Sequence, residues 1–254
     1  MSEQLQSDFD KIVKNSKFSN KEIQLKKDFL NKFIESGFPN RKQEDWKFLD
    51  ISQIIKKNIS DLSYFIDYSQ SNKIDPFTFV DGLEHNKIIF LNGRIEKIDF
   101  NHEDKSKIEI SDETKKDISF NYENSLIDLN SAFTDKVFKI LVKKDYSLKK
   151  PLIIYHSTND SIKSTNINLR LDFELGENSC LKLIDYFANN TTKNFINIFY
   201  NFNLEKDSIL KNYKIDKFRN DNLTYSFNNI EQSNNSISET FILSAGSDYL
   251  KNEI

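Results

Sequence analysis

The chain has 254 residues, long enough for one large domain or two modest ones, and its 36 Lys and Arg against 39 Asp and Glu leave a net charge of −3, too balanced a field to argue for nucleic-acid binding. A single cysteine, Cys180, excludes an intrachain disulfide framework and any cluster held by several thiolates of one chain, and it fits a reducing cytoplasm. Only 37% of the residues are hydrophobic, yet 22 Phe and 10 Tyr bury enough surface each to predict a folded chain rather than a disordered one.

The first residues, Met1 to Asp8, have neither a basic start nor a continuous apolar run, so neither a secretory signal nor a membrane anchor is expected there. No later window has the apolar length of a transmembrane helix. From Leu5 to about Ser36 apolar residues recur at helical spacing and predict two helices, one through Phe9, Ile12 and Val13, the other through Leu25, Phe29, Leu30, Phe33 and Ile34. Ser19-Asn-Lys-Glu22 has the form of a capping box for the second. Gly37 and Pro39 end it, because Gly tolerates a left-handed cap and Pro cannot continue the ladder. A short third helix is expected around Leu49, Ile51, Ile54 and Ile55, completing a helical module over residues 1–70.

A linker with the first β elements is expected over 71–136. Ile88 to Ile98 reads as a hairpin, since Asn92-Gly93 supplies the two positive-φ residues of a tight primed turn. Residues 101–130 give a weak, polar signal, read as loop followed by a helix from about Tyr122 to Ala132. From Val137 to the end the period is two: strands are predicted at Val137–Val142, Leu152–Tyr155, Ile167–Phe173, Leu181–Phe187, Phe195–Phe202, Ile209–Ile215, Leu223–Phe227, Ile237–Leu243 and from Tyr249 on.

A polar turn ending in Ser precedes four of these strands: Asp145-Tyr-Ser147, Asn178-Ser179, Asp207-Ser208 and Asn235-Ser236. Leu175 to Leu183 aligns with Leu204 to Asn212 at an offset of 29 residues. A period of this size marks a solenoid, in which each repeat buries its apolar face only against the next. A sandwich of hairpins would need many primed turns, but the chain has five Gly and no Asn-Gly or Asp-Gly after Gly93. Corners of Asn, Asp and Ser suit a parallel β-helix instead. The expected fold is therefore α+β and mainly β: a helical module followed by a parallel β-helix core over 137–254.

Signals for chemistry are sparse. His85, His102 and His156 stand at no metal-ligand spacing, and no phosphate-binding Gly-rich loop or Gly-x-Ser-x-Gly elbow is present. Cys180 takes the place that Ile209 and Ile237 hold in later repeats, which predicts a buried, inward-facing packing position. Glu103-Asp104 and Asp112-Glu113 sit among lysines and read as solvated loops.

One segment is more specific. Gly37-Phe-Pro39-Asn-Arg41-Lys42-Gln-Glu44-Asp-Trp46-Lys47-Phe48 resembles the N-terminal signature of the SufB/SufD family, on its SufD side, with Phe48 for the usual Tyr and Leu49 for the usual Thr. Leu129-Asn-Ser-Ala-Phe133, Leu148-Lys-Lys-Pro-Leu152, Phe90-Leu-Asn-Gly93 and the stretch from Ser244 through Asn252, with Lys251 where Arg is usual, are similar to later parts of that family. The resemblance implies a right-handed parallel β-helix and a cytoplasmic scaffold subunit of the SufBCD complex for iron-sulfur cluster assembly, with SufB and SufC as partners. It implies no catalytic residue and no cofactor bound by this chain alone, the cluster being handled by the complex. Gly37, Pro39, Arg41, Lys42, Glu44, Trp46 and Lys47 are then structural, with Trp46, Phe38 and Phe48 anchoring the helical module and closing one end of the solenoid. Family members continue beyond the point matching Ile254 to a SufC-binding helical domain, so a truncated solenoid is expected. Two other readings stay open: a carbohydrate-active β-helix enzyme, which would use a row of carboxylates on one face, and a stand-alone solenoid adaptor.

Overall fold

The computed structural model describes residues 2–59, 61–68, 80–113, 123–187, 192–216, 220–245 and 247–254. Helices α1 (Ser2–Asn15), α2 (Asn20–Ser36) and α3 (Ile51–Asn58) come first, and α4 (Ser125–Phe133) is inserted later. The strands are β1 (Asn86–Leu91), β2 (Arg94–Asp99), β3 (Ile108–Glu113), β4 (Val137–Val142), β5 (Leu152–Ser157), β6 (Asn166–Leu175), β7 (Cys180–Phe187), β8 (Phe195–Leu204), β9 (Ile209–Asp216), β10 (Asn220–Gln232), β11 (Ile237–Ser244) and β12 (Ser247–Glu253). From β4 on, successive strands alternate between two six-stranded sheets, ordered β11-β9-β7-β5-β1-β2 and β12-β10-β8-β6-β4-β3. The result is a parallel β-solenoid of about four turns behind an N-terminal helical region.

The Ser-ended turn is what sets the step. In each copy the Asn or Asp adopts a left-handed conformation, with φ of 57° at Asp145, 56° at Asn178, 56° at Asp207 and 58° at Asn235. Asn and Asp tolerate that region because their short side chains can bond locally, whereas a branched side chain there is strained. Ser179, Ser208 and Ser236 close the turn by donating their N–H to the carbonyls of Gly176, Glu205 and Ser233, each at 3.1 Å. The corner also continues the ladder between coils: Asn178 N–H donates to Lys206 O (3.1 Å), Ile209 N–H to Ser179 O (2.8 Å) and Glu205 N–H to Leu175 O (2.9 Å). Backbone groups that a bend would orphan are thus paired with the next coil. In-register pairing follows, with Cys180 opposite Ile209 and Ile209 opposite Ile237 in one sheet, and Asn166 opposite Phe195 and Phe195 opposite Leu223 in the other.

Alternation then sorts the side chains. Leu152, Ile154, Leu181, Leu183, Ile167, Leu169, Leu171, Phe173, Ile196, Ile198 and Phe202 point into the lumen and form the main core. On the outer face of the second sheet, Phe195, Leu223, Tyr225 and Tyr249 form a separate core with Leu5, Phe9, Leu30, Phe33, Trp46 and Ile51 of the helical region. Helix α4 lies between the two and is buried at every position except Asp128, which is half-buried. Asn130 Nδ2 bonds to the carbonyls of Leu169 and Asn197 at 2.9 and 2.8 Å, holding α4 to β6 and β8. The buried Lys26 of α2 donates to the carbonyls of Ser131 and Thr134 (3.1 and 2.5 Å), satisfying groups that the end of α4 leaves open.

Most predicted elements are present. Ser19 and Glu22 form both bonds of the capping box, and Gly37 caps α2 with φ of 67°. Asn92 and Gly93, at φ of 52° and 83°, make the tight turn between antiparallel β1 and β2. Three expectations change. Residues 108–113, read as loop, form β3, which pairs antiparallel with β4; its alternation rests on two apolar residues, Ile108 and Ile110, too few to stand out from a charged segment. The helix after it runs from Ser125 with Asn124 as its N-cap, and Tyr122 lies outside the described residues, as do the domain boundaries at 70 and 71. Finally, the helical region covers a sheet face and does not close the end of the solenoid. Antiparallel β2 and β3 border the two sheets there, and an antiparallel partner ends a parallel stack because it offers no route to a further coil.

Replacing Asp207 by Val tests the corner. The left-handed residue is expected to cost about 1–2 kcal/mol when β-branched, whereas Asp207→Gly leaves stability within about 0.5 kcal/mol of the parent. Urea unfolding of both variants reads the difference, and equal midpoints would mean that the corner does not set the step.

Candidate functional site

The signature segment Gly37 to Lys47 divides into two groups. Gly37, Pro39 and Trp46 face the outer core: Gly37 N–H donates to Phe33 O at 2.7 Å, Pro39 is buried and its carbonyl accepts from Ile51 N–H at 3.4 Å, and Trp46 is 5% exposed. Trp46 packs on Tyr225 of β10 with ring centroids 5.8 Å apart, and Phe38 packs edge-on against Phe195 of β8 at 6.2 Å. The Lys251 ammonium of β12 lies 4.2 Å from the centre of the Trp46 ring and donates to Asp45 O at 2.9 Å. A cation over an indole face adds electrostatic attraction to the packing. Arg41, Lys42, Glu44 and Lys47 instead project to solvent, with a loose Glu44–Lys47 ion pair of 3.7 Å. Phe48 departs from expectation: it is 83% exposed and contributes nothing to the anchor, since the turn after Trp46 directs it away from the sheet.

A second constellation lies inside the solenoid. His156 at the end of β5, Asp185 on β7, Tyr200 on β8 and Lys214 on β9 all occupy lumen positions and are 4% exposed or less. His156 Nε2–H donates to Asp185 Oδ1 at 2.6 Å, the Tyr200 hydroxyl donates to Asp185 Oδ2, and Lys214 Nζ stands 3.5 Å from the same oxygen. Lys214 also donates to Ser226 Oγ at 2.6 Å and sits 3.9 Å from the centre of the Tyr200 ring. The imidazole is stacked between Phe187 (4.7 Å) and Phe90 (5.7 Å). The other ring nitrogen, Nδ1, is buried without a hydrogen-bond partner among the described residues.

The electrostatics follow from burial and proximity. Burial alone would raise the pKa of Asp185, but the His156 imidazole, the Lys214 ammonium and the Tyr200 hydroxyl outweigh it and hold the carboxyl below its usual range. Burial dominates at Lys214 and brings its pKa down to about 8 despite Asp185. Tyr200 is pushed well up by burial and by the adjacent carboxylate. The cost of desolvating these charges offsets much of their attraction, but removing Asp185 alone would leave the Lys214 ammonium buried without its carboxylate.

The remaining candidates fall into place singly. Glu103, expected in a solvated loop, is a buried carboxylate: it accepts from Asn86 Nδ2 (2.8 Å), Tyr146 OH (2.7 Å) and the N–H groups of Lys149 and Lys150 (both 3.0 Å). Burial would raise its pKa, and these bonds reverse that. Its role is to tie the loop after β2 to the connection before β5. Cys180 is in register with Ile209 and Ile237, as expected, but on the outer face and half-buried. The inward residue of the corner is the buried serine just before it, so the strand's alternation sends Cys180 outward. His85 donates from Nδ1 to Leu83 O (2.6 Å) and accepts at Nε2 from the Tyr155 hydroxyl (2.9 Å), and His102 is exposed. Among the described residues no group of three or more His, Cys, Asp or Glu is arranged to hold a metal ion, and no helix is long and apolar enough to cross a membrane.

Comparison with known proteins adds no relative: no family model matches the chain, and no curated protein matches it.

Two variants test this description. Trp46→Ala is expected to cost about 3–5 kcal/mol, as for a buried Trp elsewhere, while Arg41→Ala stays within about 0.5 kcal/mol; equal effects on thermal unfolding would remove Trp46 as the anchor. The second concerns pH. Lys214 loses its proton near pH 8 when folded and near 10.5 when unfolded, so between those values the unfolded chain binds the extra proton and stability rises with pH. Lys26, also brought down to about 8 by burial, shares the window. Urea midpoints at pH 7.5 and 9.5 should therefore rise more in the parent than in Lys214→Met, and an identical rise in both would contradict the buried ammonium.

Proposed function

We propose that the chain is a scaffold of the SufB/SufD type that serves iron-sulfur cluster assembly in the cytoplasm through protein contacts with SufB and SufC, the cluster being cargo of the complex. One observation carries this reading. The stretches on which the resemblance rests are far apart in sequence, yet three of them converge on one core: Phe38 and Trp46 from the first, Leu129, Ala132 and Phe133 from the second, and Tyr249 with Lys251 from the third. Packing these residues into one docking core gives the resemblance a physical reason that a set of unrelated surface matches would lack. It also separates the signature's two halves, because the core accounts for Gly37, Pro39 and Trp46, whereas Arg41, Lys42 and Lys47 remain available to a partner surface.

Co-expression tests the reading directly. The longest reading frame containing these residues, produced with SufB and SufC from the same source, is expected to co-purify with both, and the 254-residue chain alone is expected not to retain SufC. Retention of neither partner by the longer product would overturn the assignment.

A further inference from the structure

The outward faces of the two sheets are covered unequally. On the second sheet, outward Phe195, Leu223 and Tyr225 are fully buried beneath the helical region, and Tyr249 is only 8% exposed although its strand, β12, is an edge strand. The first sheet has a comparable face. Leu181, Leu183 and Leu210 point into the lumen, so alternation sends Ile184 and Tyr186 of β7, and Tyr213 and Ile215 of β9, outward. In register with them stand Ile153 and Tyr155 of β5 and Phe241 and Leu243 of β11. Two apolar rows therefore cross this sheet.

The cover runs out part-way along them. Ile153, Tyr155 and Tyr186 form a small buried core, with Val80 packed against it and donating its N–H to the Tyr155 hydroxyl at 3.2 Å. Beyond it Tyr213 is 37% exposed, Phe241 56% and Leu243 49%, and the Tyr213 and Phe241 rings lie 6.5 Å apart. Tyr213 is flanked by β7 and β11, so its exposure is not that of a sheet edge. Contiguous apolar side chains left to water mark a contact surface. Beside these rows runs a charged one, Lys182, Lys211 and Glu239. Glu239 pairs with Lys211 at 3.1 Å, whereas the neighbouring Lys182 is exposed and meets no carboxylate among the described residues. Two ammonium groups side by side repel, and the row has a place for one more carboxylate.

We propose that this face, built on Tyr213, Phe241 and Leu243 with Lys182 and Glu239 beside them, is where two copies of the chain associate sheet to sheet. The charged row selects both the occupant and its orientation. A two-fold axis between the copies, parallel to the strands and passing over β9, keeps every row on its own row and sets β7 of one copy over β11 of the other. Apolar rows then cover apolar rows, and Lys182 meets Glu239 of the second copy twice, once on each side of the axis. Packed sheets lie about 10 Å apart, a gap that a lysine and a glutamate side chain span together. Three strands of eight residues give a face of about 14 by 26 Å. That is below the size of a permanent interface, so the dimer is a reversible one. It stands apart from the scaffold reading, since a second copy is the only partner it needs.

Sedimentation equilibrium of the whole chain at low salt is the test. Expected is a monomer-dimer equilibrium, weakened at least about tenfold in Lys182→Glu and likewise in Glu239→Lys, because like charges then face each other across the axis. Both substitutions in one chain restore oppositely charged pairs and should recover association. A chain that stays monomeric up to about 1 mM overturns the proposal. So does association that Lys182→Glu leaves unchanged, as pairing through the edge strands β11 and β12 would be, and so does failure of the folded double variant to recover. If Glu239→Lys does not fold, Lys182→Glu against the parent decides alone, because that exposed side chain makes no ion pair in the fold whose loss could mimic weaker association.

Discussion

Everything in this molecule depends on one backbone event repeated at the corner of each coil: an Asn or Asp held at positive φ, followed by a residue whose N–H closes the turn. Because each corner also donates to the carbonyls of the next, the turn both bends the chain and joins it to its neighbour. A parallel ladder tolerates no slip of one residue, since every side chain would change faces. The corner therefore decides which residues meet in the lumen and which meet the helices. Trp46 finds Tyr225, and Asp185 finds His156 and Lys214, only because coils separated by a fixed number of residues lie directly above one another.

The two faces of the second sheet show what that order is used for. Its inward face joins the lumen core, while its outward face, through Phe195, Leu223, Tyr225 and Tyr249, receives the helical region. Helix α4 is the intermediary, at nine residues too short to be stable alone in water and held in place by Asn130 on the strand side and Lys26 on the helix side. A lysine buried to reach two helix-end carbonyls is an expensive fastening, and its depressed proton affinity is the consequence.

Much of this was legible in the residues. Period-two runs located all nine strands of the repetitive part, and Asn92-Gly93, Ser19 with Glu22, and the Asn or Asp before Ser each announced a local conformation with a physical cause. What stayed hidden depended on phase. The position shared by Cys180, Ile209 and Ile237 was visible, but not which face it occupied, because the corner serine takes the inward place. The charge cluster had a readable trace, since Asp185 and Lys214 stand at the alternate positions that Leu181, Leu183 and Leu210 mark as inward. Their pairing across strands was not readable, because it needs the register. Glu103 gave no trace at all: its partners come from two separate segments, the start of β1 and the connection between β4 and β5, and its lysine-rich setting resembles any solvated loop.

The central claim is that the coils are locked together at their corners, and amide hydrogen exchange resolved to single residues tests it most directly. The N–H groups of Asn178, Asp207, Ile209 and Ile237 are turn or strand-start amides that donate to a neighbouring coil, so they should be protected as strongly as the mid-strand amides of β7 and β9. Exchange at those four positions as fast as in unstructured surface loops, with the strands still protected, would contradict the account.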